Sequence, residues 1–111
     1  MDMTHDRQML IRAELGDLVD MLRLTHFDRN PVQFLIRLDA IRQTAAAHDF
    51  LGVAEIASMF EATMQRVVKT GGADSVIACF TGILDDAIGC SQLSPAVTQS
   101  LLASVAVRLA N

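Results

Sequence analysis

Three histidines, two cysteines and an adjacent pair of aspartates are the residues of this chain that could do acid–base, nucleophilic or metal chemistry. Their spacing argues against most of it. A metal site in a helical bundle takes His and Glu ligands that repeat at i, i+3 or i, i+4. His5 lies near the start, His26 in a polar stretch and His48 at the end of an apolar stripe, and none has such a partner. No metal and no cofactor is expected. Cys79 and Cys90 have no neighbouring histidine, and the chain contains neither a Gly-x-Ser-x-Gly elbow nor a glycine-rich phosphate loop. Both cysteines are expected as reduced, partly buried thiols. Asp85 and Asp86 are adjacent, so on a helix they point about 100° apart and do not close on one ligand. They read as a solvated face, and Gly71-Gly72 reads as a helix stop. No catalytic residue is expected, and His48 alone stands as a candidate. A helix C-terminus favours the imidazolium form there; the plainer alternative is a helix-ending histidine bonded to the last carbonyls.

The elements around His48 form a hairpin. Phe34, Leu38, Ile41, Ala45 and His48 repeat at helical spacing, as do Val53, Ile56, Ala57, Phe60, Met64 and Val67. Between them lies a corner, Asp49-Phe50-Leu51-Gly52. Two stripes cannot bury each other completely, so flanking helices must supply the other walls of a bundle. The first helix is expected from about His5 to about Leu24, with Ile11, Leu15, Leu18, Val19 and Leu22 inward and Arg7, Arg12, Asp17, Asp20 and Arg23 on or near its outer face. Asn30 is an N-cap and Pro31 a first helical residue. The second helix then runs to about His48, with Arg42 at the edge of its stripe, its stem on the core and its head in water. The third starts after Gly52, with Glu55, Ser58 and Glu61 on its polar side, and stops at Lys69-Thr70-Gly71-Gly72. Asp74 or Ser75 caps a fourth, which Gly89 closes. Ser94 caps a fifth opened by Pro95, with Val97, Leu101, Leu102, Val105 and Leu109 inward and Thr98, Gln99, Ser104 and Arg108 on a thin polar side. That apolar segment either completes the core or meets another chain as a homodimer.

Length and composition are consistent with this. The 111 residues make one domain with one core. Half are hydrophobic, mostly aliphatic and Met, which suits packed helices. The five Phe come without Tyr or Trp, and the net charge is −4. Neither base stacking nor a basic field for nucleic acid is therefore available. Met1-Asp2-Met3-Thr4-His5-Asp6 has no signal-peptide pattern, and charged residues interrupt every apolar run. A cytoplasmic protein with no membrane span is the expectation.

At the hairpin the chain resembles the histidine phosphotransfer (HPt) family, small helical bundles that pass phosphoryl groups between receiver domains. The family's pattern is a helix with His-x-x-Lys-Gly, a small-residue stretch, then Leu-Gly opening the next helix. Two registers fit. In the first, Ala47-His48-Asp49-Phe50-Leu51-Gly52 is similar to the phosphorylation motif, with His48 as acceptor and Leu51 in place of the lysine. In the second, Leu51-Gly52-Val53-Ala54-Glu55-Ile56 is similar to the opening of the following helix, and the acceptor position falls on Arg42, with Ala45 for Lys and Ala46 for Gly. The second agrees with the corner derived from the stripes. The resemblance implies an all-α, antiparallel four-helix bundle, to which the stripe after Pro95 adds a C-terminal helical segment. It also implies a non-enzymatic domain acting by protein–protein contact with a receiver or kinase domain. The flat run Ala45-Ala46-Ala47, bordered by Arg37 and Arg42, is the expected docking patch. Tight interhelical packing is the other reading of those alanines, and a phosphorelay carrier using His48 is the alternative function.

Overall fold

The computed structural model describes residues 3–89 and 95–110, and among them the chain forms five helices and no strand. They are α1 (Met3–Arg23), α2 (Pro31–Ala47), α3 (Leu51–Thr70), α4 (Ala73–Gly89) and α5 (Pro95–Ala110). Helix α1 packs on α2 and α4, and α3 packs on the same two, which closes a four-helix ring joined by short connections. Helix α5 is added outside that ring, against α3 and α4. The architecture is an all-α, antiparallel four-helix bundle with an additional C-terminal helix. No helix among the described residues is long and apolar enough to cross a membrane.

Local chemistry explains most boundaries. Asn30 Oδ1 accepts from the Gln33 amide at 3.2 Å, and Pro31 opens α2 without a missing hydrogen bond. At the end of α3, Lys69 lies in the last turn and the Gly71 amide donates to the Val67 carbonyl at 2.8 Å. Gly71 and Gly72 have φ of 85° and 86°, a region that disfavours any residue with a Cβ. The start of α4 differs from expectation. The helix begins at Ala73, the Val76 amide donates to the Gly72 carbonyl at 3.3 Å, and Asp74 sits inside the first turn. The second of two left-handed glycines already aims the chain into the helix, so neither Asp74 nor Ser75 is needed as a cap.

The core is the four stripes meeting, and aromatic rings run through it. Phe34 of α2, Phe60 of α3 and Phe80 of α4 are each fully buried. Phe60 stacks on Phe80 with centroids 4.8 Å apart, and meets Phe34 edge-on at 6.0 Å. Phe27, in the α1–α2 connection, adds a second edge contact to Phe34 at 5.3 Å. Two long-range ties close the ring of helices at α1. Arg23 pairs with Asp85 of α4 and donates to the Thr81 carbonyl. Arg37 of α2 donates to Thr25 Oγ1 at 2.5 Å and to the Met21 carbonyl at 3.4 Å.

Helix α5 departs from its expected orientation at two positions. Thr98, expected on the polar side, is buried, and Leu109, expected inward, is 37% exposed. Thr98, Leu101, Leu102 and Val105 share one i, i+3, i+4, i+7 stripe, and the period outweighs the polarity of one hydroxyl. Leu109 is in the last turn, where that stripe loses its cover. Arg12, expected on the outer face of α1, is half-buried, its guanidinium 5.8 Å from the Phe50 ring. Cys79 is half-buried and free, whereas Cys90 and the Ser94 cap lie outside the described residues, as do the side chains of His5 and Val97.

Truncating the middle ring is expected to cost most: Phe60→Ala should lower the unfolding free energy by roughly 3–5 kcal/mol, read by urea titration, and Phe60→Leu by much less.

Candidate functional site

The corner between α2 and α3 decides where every candidate residue points. His48 ends α2, and its backbone amide is turned to the Ala45 and Ala46 carbonyls. Asp49 then adopts φ 64°, the one described non-glycine residue with positive φ. The Phe50 amide donates to the Ala45 carbonyl at 2.8 Å and the Asp49 amide to the Ala46 carbonyl at 3.4 Å. This crossed pair of bonds around a left-handed residue is the Schellman ending, and Asp is among the few non-glycine residues that tolerate it. The Phe50 side chain packs against the core beneath Arg12. Helix α3 consequently opens at Leu51, one residue before Gly52 was passed, and Gly52 lies in its first turn rather than in the bend.

The residues expected to form a docking patch separate. Ala45 has no exposure and belongs to the core, so its small size serves close approach of helices and a partner cannot touch it. Ala46 and Ala47 are exposed. Arg37 is engaged toward α1 by its bonds to Thr25 and Met21. It lies on the flank opposite Arg42 and does not border the alanines with it. His48 is half-buried at the corner, not on the middle of a helix face.

Arg42 leads to a cluster that the sequence reading did not find. Its Nε donates to Asp39 Oδ1 at 2.8 Å, its Nη2 lies 2.7 Å from the same oxygen, and its Nε is 3.7 Å from Glu61 Oε1 on α3. Gln43 also donates to Asp39. The Arg42 hydrogen bond holds the Asp39 carboxyl below its ordinary value. Glu61 goes the other way. Burial, and after it the hydrogen bond and charge of Asp39, push its carboxyl up to about 7, with Arg42 opposing the rise. Its side chain is only 21% exposed, and Oε1 is buried without a hydrogen-bond partner. Glu61 reads as outward from helix periodicity. A usable signal was nonetheless present: Asp39 and Glu61 each stand eleven residues from Phe50, so an antiparallel hairpin folded there sets them opposite one another.

Among the described residues no three His, Cys, Asp or Glu side chains gather as a metal site. What fold and site define is therefore a five-helix bundle with a carboxyl–guanidinium–carboxyl cluster on the α2–α3 flank. Compared with family models, curated proteins and solved structures, the chain matches none.

The corner itself can be tested. Asp49→Val, a β-branched residue at positive φ, is expected to destabilise the fold by about 1–2 kcal/mol in a denaturant titration, while Asp49→Gly leaves it equal or slightly more stable.

Proposed function

We propose that this chain is a non-enzymatic helical interaction domain, similar to a degenerate histidine phosphotransfer domain, that works by protein–protein contact in two-component-type signalling. The position of Arg42 carries the reading. With α3 opening at Leu51, the register that aligns Leu51-Gly52 with the family's second helix puts Arg42 at the acceptor position. Asp39 raises the pKa of its guanidinium, so that side chain stays charged and offers no free lone pair to a phosphoryl group.

The docking face in this reading is the outer side of α2. Val32 and Ile36 are 66% and 57% exposed and lie one turn apart. Ala46 and Ala47 extend that side toward the corner with side chains that leave room for a partner helix. A receiver or kinase domain is the partner proposed, in a cytoplasmic setting.

His48 supplies the second reading, a phosphorelay carrier, because it is only half-buried at the corner that ends α2. Helix α5 supplies a third, self-association, through Val107 at 63% exposure.

One set of measurements separates these readings. Receiver and histidine-kinase domains from the same genome are titrated into the ¹⁵N-labelled chain. The expected result is shift changes at Ile36, Ala46 and Ala47, and an affinity about tenfold weaker for Ile36→Asp with helicity unchanged. No binding across the panel overturns the proposal. Acid-labile phosphoryl label on the wild type, absent from His48→Gln, replaces it with the carrier reading. A mass by sedimentation that rises with concentration points to self-association.

A further inference from the structure

We propose that Asp39, Arg42 and Glu61 form a pH-responsive latch between α2 and α3, closed while its two carboxyls share one proton and loosened when that proton leaves.

The geometry comes first. Two acids and one base meet across a helix interface, and the base is committed unequally. Arg42 approaches Asp39 Oδ1 at 2.7–2.8 Å through two nitrogens and reaches Glu61 Oε1 only at 3.7 Å. Asp39 and Glu61 meet the same guanidinium nitrogen, Arg42 Nε, at 2.8 and 3.7 Å, so the two carboxyls lie to either side of one cation. With a proton on Glu61 the cluster is neutral: Asp39 is the anion, Arg42 its counter-ion, and Glu61 an uncharged neighbour. Without it, two carboxylates face each other with one guanidinium between them, and the Oε1 atom that lacks a hydrogen-bond partner is left as part of a half-buried anion.

The charged groups acting on Glu61 are Asp39 and Arg42, both from α2. Helices α4 and α5, the other two elements against α3, contribute none among the described residues. Its own helix offers Ala57, Ser58, Met64 and Gln65 one turn away, none of them charged. The latch is therefore self-contained.

Its pH window follows from the direction of each shift. Glu61 is raised from 4.5 to about 7, so the folded chain binds this proton more tightly than the unfolded chain. The stabilisation is complete below 4.5, declines as pH rises, and is gone above about 7. Asp39 is lowered from 3.8, chiefly by Arg42, so its contribution is present above 3.8 and lost only in stronger acid. The cluster is tightest in mild acid and relaxes across neutrality.

Glu61→Gln is the decisive variant, because its amide copies the protonated carboxyl in shape and in lacking charge, yet does not titrate. The melting temperature of the full chain is followed by circular dichroism from pH 5 to pH 8. Wild type is expected to fall by about 5–10 °C more than Glu61→Gln over that span, with the variant the more stable of the two at pH 8. Carbon-detected NMR of the Glu61 carboxyl gives an independent reading on the unmodified chain: a midpoint near 7, moving toward 4.5 in Asp39→Asn. Equal pH slopes for wild type and Glu61→Gln, or a wild-type midpoint near 4.5, overturn the proposal.

Discussion

Contact among the phenyl rings of Phe34, Phe60 and Phe80 is the constraint on which the remaining features rest. Each ring comes from a different helix, and each is fully removed from water. A stacked pair at 4.8 Å and an edge contact at 6.0 Å leave little freedom to slide one helix along another. Aliphatic stripes of Ala, Leu, Val and Ile alone permit several registers of similar energy, and large flat groups remove that degeneracy. Helix α1 has no ring in the stack. It is held by its buried Leu15, Val19 and Leu22, with Phe27 in the connection after it, Arg23 to α4 and Arg37 from α2 as further ties. Two kinds of force thus divide the work. Apolar burial sets the ring of four helices, and charged groups on the rim add ties to α1, the member of that ring without a phenyl group.

Because the rings fix the register of α2 against α3, they also fix what meets on the flank of that pair. The corner at Phe50 sets Asp39 and Glu61 at equal distances along the two arms, and the interface forces them together whether or not their charges agree. Glu61 cannot turn freely to water, since 79% of its side chain is covered in a fold whose register is already set. Hence its carboxyl moves to about 7 instead of the packing giving way. A local conflict of this sort survives because the surrounding burial exceeds it, and such conflicts are where a fold departs from the simplest consistent sequence.

The parts of this architecture that were legible in the sequence have local causes. Asn30-Pro31 and Lys69 through Gly72 mark helix ends through a side-chain cap and left-handed glycines, both decided within a few residues. The stripes of α2 and α3 followed from period alone. What periodicity missed is also physical. It assigns each residue an angle but not a neighbour, so Glu61 and Arg12 read as outward although each lies at the edge of a stripe where another element passes. For Ala45 the stripe was right, setting it inward, and the family resemblance alone set it on a docking surface. An alanine is equally suited to a partner and to a close-packed helix, and only the position of α3 chooses. Thr98 repeats the lesson on α5, where polarity suggested one face and packing used the other.

The two arginines of α2 show how the helix keeps one side open while being held on both flanks. Arg37 reaches toward α1 and Arg42 turns to Asp39 on the flank that meets α3, so neither guanidinium lies across the outer face between them. That face carries Val32 and Ile36 near its start, exposed Gln43, which donates to Asp39, in its middle, and the small Ala46 and Ala47 near the corner. Scattered exposed apolar residues carry little meaning on a bundle surface. Here they occupy the outer side of one helix whose charged neighbours are drawn to its edges by internal partners. The salt bridge at its edge pairs Arg42 with Asp39, and the same guanidinium faces Glu61 of α3.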